Sequence, residues 1–133
     1  MSFLDTSFVI DLLREEKRKT QGPAHLKLEQ LGSTPVRLSL FVICELEAGL
    51  SLSASKNERE QIQALCQHCE VVYPDDRLAQ IYGKVLAQLQ NLGTPIGTMD
   101  LLIGTHALIN DELLISRNLK DFRKIPHLQL ESY

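Results

Sequence analysis

The sequence predicts an α/β domain in which a mostly parallel sheet of four to five strands is flanked by helices. Short apolar runs alternate along the chain with longer segments whose apolar residues recur at helical spacing. Strands that alternate with helices favour a parallel sheet, because each helix carries the chain back to the same end of the sheet. The 133 residues fit one domain, and no repeat, low-complexity tract or linker divides them. We therefore predict a single domain over residues 1–133.

The N-terminal part begins with a short apolar strand predicted at 2–5. Thr6 or Ser7 can cap the helix that follows, and this helix ends in a charged run at 14–19. Such a run favours a solvated helix end over an RNA-binding patch. The next predicted elements are a short helix at 24–31 closed by Gly32, a strand at 36–40 and a helix at 41–52.

The helix at 41–52 contains only two charged residues, Glu45 and Glu47. At 100° per residue the two side chains lie about 200° apart, so both cannot face solvent. One of them is therefore expected to point inward.

The stretch from Thr94 to Ile109 is predicted to hold the central helix. Pro95 and Gly97 make a turn that a helix cannot cross, and the Thr98 hydroxyl can cap the helix start. The helix is apolar almost all round, which indicates that it is buried. Its first turn nevertheless carries Asp100, either as an ordinary helix-start acid or as a functional group.

The remaining predicted elements follow the same alternation. They are a helix at 57–69, a strand at 70–73, a helix at 76–92 ended by Gly93, a strand at 113–116, a helical turn at 119–125 and an edge strand at 128–130.

Charge and composition limit the functions that the chain can have. The net charge of −3 means that the field of the whole molecule does not attract nucleic acid, so a phosphate-bearing partner needs local cations or a metal ion. No apolar run approaches the ~20 residues of a membrane span, and the N-terminus lacks the pattern of a secretory signal. Three cysteines, an odd number, favour reduced thiols over a disulfide framework. We expect a cytoplasmic protein without a membrane partner.

Several polar residues are predicted to lie near the carboxyl ends of the strands, where ligands bind in open parallel sheets. They are Asp5 after the first strand, Glu45 after the second, Asp100 at the start of the central helix, and Ser116, Asn118 and Asp121 after the fourth strand. Carboxylates that converge repel one another unless a cation neutralises them. An all-oxygen set suits Mg²⁺ or Mn²⁺ better than zinc. We therefore predict a divalent-metal site at this edge of the sheet.

Four segments carry a family resemblance. They are LDTS at 4–7, ELEAG at 45–49, PIGTMDLLIGTHAL at 95–108 and LLISRNLKDF at 113–122. In order and spacing they resemble the signature blocks of PIN-domain ribonucleases and, more narrowly, of the VapC toxins of bacterial toxin–antitoxin pairs.

The resemblance implies a role for each matching position. Asp5, Glu45 and Asp100 would be metal-binding carboxylates, with Asp121 as the fourth acid, while the Thr6 and Ser116 hydroxyls would support the metal site. Asn118 stands where some relatives have an acid, which leaves the ligands of a second metal open. Glu47 matches no catalytic position and is expected to face outward.

The implied protein is a Mg²⁺-dependent endoribonuclease toxin, a homodimer that cleaves a structured RNA such as a tRNA or ribosomal RNA loop. A VapB-like antitoxin would inhibit it by laying its C-terminal segment across the acidic groove. Hydrolysis assisted by a metal does not use the 2′-hydroxyl and predicts 5′-phosphate and 3′-hydroxyl ends. Two alternatives are an RNA-maturation nuclease without an antitoxin and a PIN-fold binding module that has lost catalysis.

Other charged residues are less informative. Arg117 and Lys120, with Arg123 and Lys124, can hold RNA phosphates or form an ordinary basic surface. His106 is expected to be a packing residue of the central helix. Asp75 and Asp76 are typical of a turn with a helix cap, and Asp11 and Asp111 are expected to be surface acids.

Overall fold

The computed structural model describes residues 1–53 and 55–133 and has five strands and seven helices in these ranges. The strands are β1 (Ser2–Leu4), β2 (Val36–Ser39), β3 (Glu70–Val72), β4 (Leu113–Ile115) and β5 (Leu130–Glu131). The helices are α1 (Thr6–Arg18), α2 (Pro23–Leu31), α3 (Leu40–Ser53), α4 (Lys56–His68), α5 (Arg77–Leu92), α6 (Thr98–Ile109) and α7 (Leu119–Phe122). The α/β class is confirmed.

All neighbouring strands pair in parallel, in the order β3-β2-β1-β4-β5. β1 is the central strand, and its side chains at Ser2, Phe3 and Leu4 are all buried. This burial explains why the strand lacks the alternating pattern of a half-exposed sheet. The last strand lies at 130–131 and not at 128–130, because the residues that pair with β4 are Leu130 and Glu131.

The predicted helix caps are wrong at two places. Asp5 is the N-cap of α1 and Gly97 is the N-cap of α6, and neither helix has a side-chain cap hydrogen bond. Thr6 and Thr98 are instead the first helical residues. The Thr6 hydroxyl is directed elsewhere, as described below.

Helix α6 packs at the centre of the molecule, as its apolar sequence predicted. It contacts β2 and β4 and the helices α3, α5 and α7. His106 of this helix is fully buried, with Nδ1 2.6 Å from the Ser39 hydroxyl and its ring beside Phe3 and Phe41. Burial lowers the pKa of His106, so the ring is a neutral packing group, as expected.

No helix in the described ranges is both long enough and apolar enough to cross a membrane.

Candidate active site

The first carboxylate of the site, Asp5, follows the central strand β1 and is 4% exposed. Its Oδ2 accepts hydrogen bonds from Ser116 Oγ at 2.7 Å and from Ser7 Oγ at 3.0 Å. Ser116 follows β4, so the hydroxyl that orients Asp5 comes from the neighbouring strand. Within the described chain Oδ1 receives no hydrogen bond from a side chain or a backbone N–H, which leaves this oxygen available to a ligand.

The second carboxylate is Glu45 of α3. The Thr6 hydroxyl donates a 2.8 Å hydrogen bond to its Oε1 and so joins α3 to the start of α1. Glu47, two residues along, faces outward and pairs with Arg59 at 3.0 Å. The helical geometry predicted that one of the two acids points inward, and the structure identifies it as Glu45.

Asn118 joins the remaining two acids. Its Nδ2 donates to Asp100 Oδ2 at 3.2 Å and to Asp121 Oδ2 at 3.3 Å, while its backbone N–H donates to Ser116 Oγ at 2.9 Å. Asn118 is the N-cap of α7, so its backbone is held at the strand end while its amide bridges two carboxylates. An amide can neutralise neither of them, and the negative charge of the cluster remains.

The pKa of Asp100 reflects both its burial and this accumulated charge. The pKa of Asp100 is raised to about 6, first by burial and then by the charges of Asp5, Glu45 and Asp121, although the Asn118 hydrogen bond lowers it. The pKa of Asp121 is lowered, first by the hydrogen bond from Asn118 and next by the one from Lys124. The acids from four separate parts of the sequence therefore lie close enough to repel one another.

The cluster fits a divalent cation by its donor chemistry. Its ligands would be carboxylate oxygens, and Mg²⁺ commonly uses one or two carboxylates and keeps several waters. In residues 1–53 and 55–133, no three Asp, Glu, His or Cys side chains are already arranged around one ion position. An ion held by one or two of these carboxylates would keep water molecules as its remaining ligands.

The two cations predicted to bind substrate, Arg117 and Lys120, differ in their partners. Lys120 is exposed on α7. The Arg117 side chain is 60% exposed, and its Nη1 is 2.7 Å from Asp11 Oδ2. Asp11 is only 16% exposed and also accepts a hydrogen bond from the Tyr133 hydroxyl, so the prediction that it is a surface acid was wrong.

A groove of about 630 Å³ leads away from Glu45 between α1, α3 and α4. Its floor includes apolar residues of all three helices, such as Ile10, Leu46 and Ile62. Arg14, Lys17 and Arg18, which belong to the charged run at the end of α1, lie along it. The run predicted to be a solvated helix end therefore lines a groove that reaches the acidic cluster.

Sequence reasoning missed two contributors to the site. Ser7 was considered only as a helix cap, yet its hydroxyl binds Asp5, and its place two residues after a strand-end acid could have indicated this. Lys124 was predicted either to hold RNA phosphate or to form part of an ordinary basic surface, and its contacts within the site were missed: its Nζ lies 3.3 Å from Asp121 Oδ1 and 3.0 Å from the Pro95 carbonyl oxygen. Its i+3 spacing from Asp121 was the available signal.

Comparisons with known proteins find similarity to the PIN domain and to VapC proteins. The PIN domain family model matches residues 2–128. Ribonuclease VapC1 of Haemophilus influenzae is 32% identical over 133 residues, which cover 98% of this chain and 96% of that protein. The tRNA(fMet)-specific endonuclease VapC of Salmonella typhimurium is 26% identical over 132 residues, covering 98% and 96%. A chain of VapBC2 from Rickettsia felis, solved bound to promoter DNA, superposes with a TM-score of 0.85 at 26% identity and covers 99% of this chain and 98% of that one.

Proposed function

The chain belongs to the PIN-domain family, and from this membership we propose that it is a Mg²⁺-dependent endoribonuclease, the toxin of a VapBC-like toxin–antitoxin pair. Mn²⁺ suits the same oxygen ligands. The substrate is a structured RNA such as a tRNA or ribosomal RNA loop, and the protein would act in the cytoplasm, where these RNAs are. The observation that carries the proposal is the convergence of Asp5, Glu45, Asp100 and Asp121 at one edge of the parallel sheet.

Some residues of the site would bind the metal ion, and the others orient those ligands. A bound Mg²⁺ would activate a water, orient the scissile phosphate and neutralise charge on the leaving oxygen. Asp5, Glu45 and Asp100 would hold it, with Asp121 as a fourth acid. Ser7 and Ser116 fix the orientation of Asp5, and Thr6 fixes that of Glu45. Asn118 holds Asp100 and Asp121 close to each other, and both would be available to a metal ion.

The proposed inhibitor is a VapB-like antitoxin, since the solved relatives of this chain are complexes of that type. The groove beside Glu45 has an apolar floor and opens onto the acidic cluster. A segment that crosses it could place an Arg or Lys among the carboxylates in charge-assisted hydrogen bonds. We propose a homodimer as the assembly of the toxin.

The test compares the wild type with Asp100→Asn and with Asp76→Asn, an exposed acid outside the site. Each purified protein is incubated with total RNA, with Mg²⁺ or with EDTA, and the cut ends are mapped. We expect cleavage with 5′-phosphate and 3′-hydroxyl ends only in Mg²⁺. We expect Asp100→Asn to slow it more than about 100-fold, because metal catalysis supplies several kcal/mol of stabilisation. Asp76→Asn should cleave like the wild type.

Cleavage by Asp100→Asn at the wild-type rate, or 2′,3′-cyclic phosphate ends, would contradict the mechanism. Inactivity of the wild type towards every RNA would instead favour a binding module. Growth arrest by the wild type, relieved by an antitoxin encoded beside it, would support the toxin role. Cleavage of stable RNA without growth arrest would favour a maturation nuclease.

A further inference from the structure

A second cavity, of about 440 Å³, lies between α1, the segment that joins α1 to α2, and Arg117 after β4. Three arginines line it, Arg14 and Arg18 from α1 and Arg117. Two acids, Asp11 and Glu15, also face it. Whether the cavity can bind an anion depends on which hydrogen bonds and ion pairs these two acids form.

The Glu15 carboxylate accepts hydrogen bonds from the backbone at the start of α2. Its Oε1 accepts hydrogen bonds from the N–H groups of Gly22 and His25, at 2.9 and 3.0 Å, and its Oε2 accepts one from Ala24 at 3.0 Å. The His25 ring nitrogen Nδ1 lies 2.8 Å from Oε1. Burial acts to raise the pKa of Glu15, but these hydrogen bonds outweigh it, and the pKa is lowered. Glu15 is thus an ionised cap for the start of α2, held by backbone N–H groups, and its negative charge remains at the cavity beside Arg14 and Arg18.

Asp11 binds the Arg117 guanidinium and the Tyr133 hydroxyl. Its Oδ2 lies 2.7 Å from Arg117 Nη1 and 2.7 Å from the Tyr133 hydroxyl, whereas Arg14 is 3.8 Å from Oδ1. The Tyr133 ring packs edge-on against Phe8, with the ring centroids 4.7 Å apart. Asp11 therefore pairs closely with Arg117 and only distantly with Arg14, and Arg18 has no ion pair among the residues that the structure describes.

The cavity is linked to the acidic cluster through a short hydrogen-bonded path. The Arg117 backbone N–H donates to Ser7 Oγ at 3.3 Å, and Ser7 Oγ donates to Asp5 Oδ2 at 3.0 Å. Arg117 also follows Ser116 directly, and Ser116 holds the same Asp5 oxygen. Because Arg117 lines the cavity and its backbone contacts Ser7, the cavity and Asp5 border the same part of the molecule, and one nucleic acid strand can contact both.

We propose that this cavity is a phosphate-binding subsite for the RNA backbone next to the scissile bond, formed by Arg14, Arg18 and Arg117. This proposal rests on the proposed ribonuclease function. Asp11 and Tyr133 act as positioning residues, since they hold the Arg117 guanidinium at the mouth of the cavity. Guanidinium groups suit the role because their donors match the oxygens of a phosphate in pairs.

The lining of the cavity favours phosphate over a peptide. The groove beside Glu45 has a floor of aliphatic side chains, which suits the apolar face of an amphipathic helix from a partner protein. The second cavity instead presents three guanidinium groups, which outnumber its two carboxylates, and the hydroxyls of Thr20 and Tyr133. The net charge of the whole protein is −3, so affinity for RNA has to come from such local groups.

The experiment measures binding of unfractionated tRNA in EDTA over a series of salt concentrations, for the wild type and for Arg18→Gln, Arg117→Gln and Lys84→Gln. Lys84 is exposed on α5, lines neither cavity and provides the same loss of charge. Each lost phosphate contact should reduce the slope of log K against log salt by about 0.7 to 0.9. We expect this reduction, with several-fold weaker binding, for Arg18→Gln and Arg117→Gln only.

Equal slopes for all four proteins would overturn the proposal. If the slopes are equal but Arg117→Gln, which lines the second cavity and not the groove beside Glu45, no longer co-purifies with a co-expressed antitoxin, the cavity belongs to a protein partner, which also overturns the proposal. Because EDTA prevents metal-dependent cleavage, the result does not depend on the nuclease activity. RNA cleavage in Mg²⁺, measured separately, reports on the proposed function alone.

Discussion

At the scale of single residues, the most informative group is Asp100. Burial and three neighbouring acids raise its pKa to about 6, against a value of 3.8 for the free side chain. The folded protein therefore binds a proton at this carboxyl more readily than the unfolded chain does. Its contribution to stability is fully present below about pH 4 and is lost as the pH rises towards 6. Above that pH the ionised carboxylate opposes folding.

Asp100→Asn should therefore stabilise the metal-free protein near neutral pH. We expect the free energy of unfolding to rise by about 1 kcal/mol, after discounting the pKa shift for the solvent exposure of a half-buried group. Urea denaturation in EDTA at several pH values measures this. The difference from the wild type should vanish near pH 4, where Asp100 is protonated. A variant less stable than the wild type at neutral pH would show that Asp100 is not repelled by its neighbours.

At the scale of elements, the contact between α6 and α7 places two of the acids together. Gly104 lies one turn after Asp100 in α6, and Phe122 and Ile125 pack against its backbone. A Cβ at this position would overlap Ile125 Cδ1 and lie 3.3 Å from Phe122 Cδ1. The absence of a side chain at Gly104 therefore lets α7 bring Asp121 close to Asp100.

Gly104→Ala should destabilise the protein and slow RNA cleavage. Overpacking costs about 1–3 kcal/mol, and the better helix propensity of alanine offsets roughly 0.5–1 kcal/mol of that, so we expect a net loss of about 1 kcal/mol. Gly83→Ala on α5 is the matched control, because nothing lies within 4 Å of its added Cβ. That variant should gain stability. Thermal melts and cleavage assays on both variants decide this, and a Gly104→Ala protein as stable and active as Gly83→Ala would refute the packing argument.

At the scale of the whole molecule, the site is a product of chain topology. Asp5 and Ser116 lie at the ends of adjacent parallel strands, 111 positions apart in sequence. Glu45 enters from the helix after β2, and Asp100 from the start of α6. Because the proposed metal ligands come from the whole length of the chain, we expect metal binding to be coupled to global unfolding.

Mg²⁺ should therefore raise the unfolding free energy of the entire domain. The expected gain is about 2.7 kcal/mol when free Mg²⁺ is about 100 times its dissociation constant. Asp100→Asn should lose most of this gain, whereas Asp76→Asn should keep it. Thermal melts with increasing Mg²⁺ measure the effect. An identical response of the wild type and Asp100→Asn would mean that Mg²⁺ does not bind at the acidic cluster.

The order and type of the secondary structure could be predicted from local sequence, because apolar periodicity, glycine and proline act over a few residues. α6 begins after Pro95 and Gly97 as expected, and α2 ends at Gly32. The caps were harder to predict. A strand-end acid and the threonine after it can both start a helix, and the choice of Asp5 followed from the position of Glu45, which takes the Thr6 hydroxyl.

The sequence by itself determined the α/β class and the inward direction of one acid in α3, and its resemblance to PIN-domain ribonucleases indicated which acids to expect at the site. Only the tertiary structure decided that Arg117 pairs with Asp11, that Tyr133 supports this pair, and that the charged end of α1 lines two cavities. The physical reason is the range of the interactions. Helix and strand preferences are set by neighbours within a turn, whereas these contacts join residues as far as 122 positions apart. Nothing in the local pattern of either partner records such a contact.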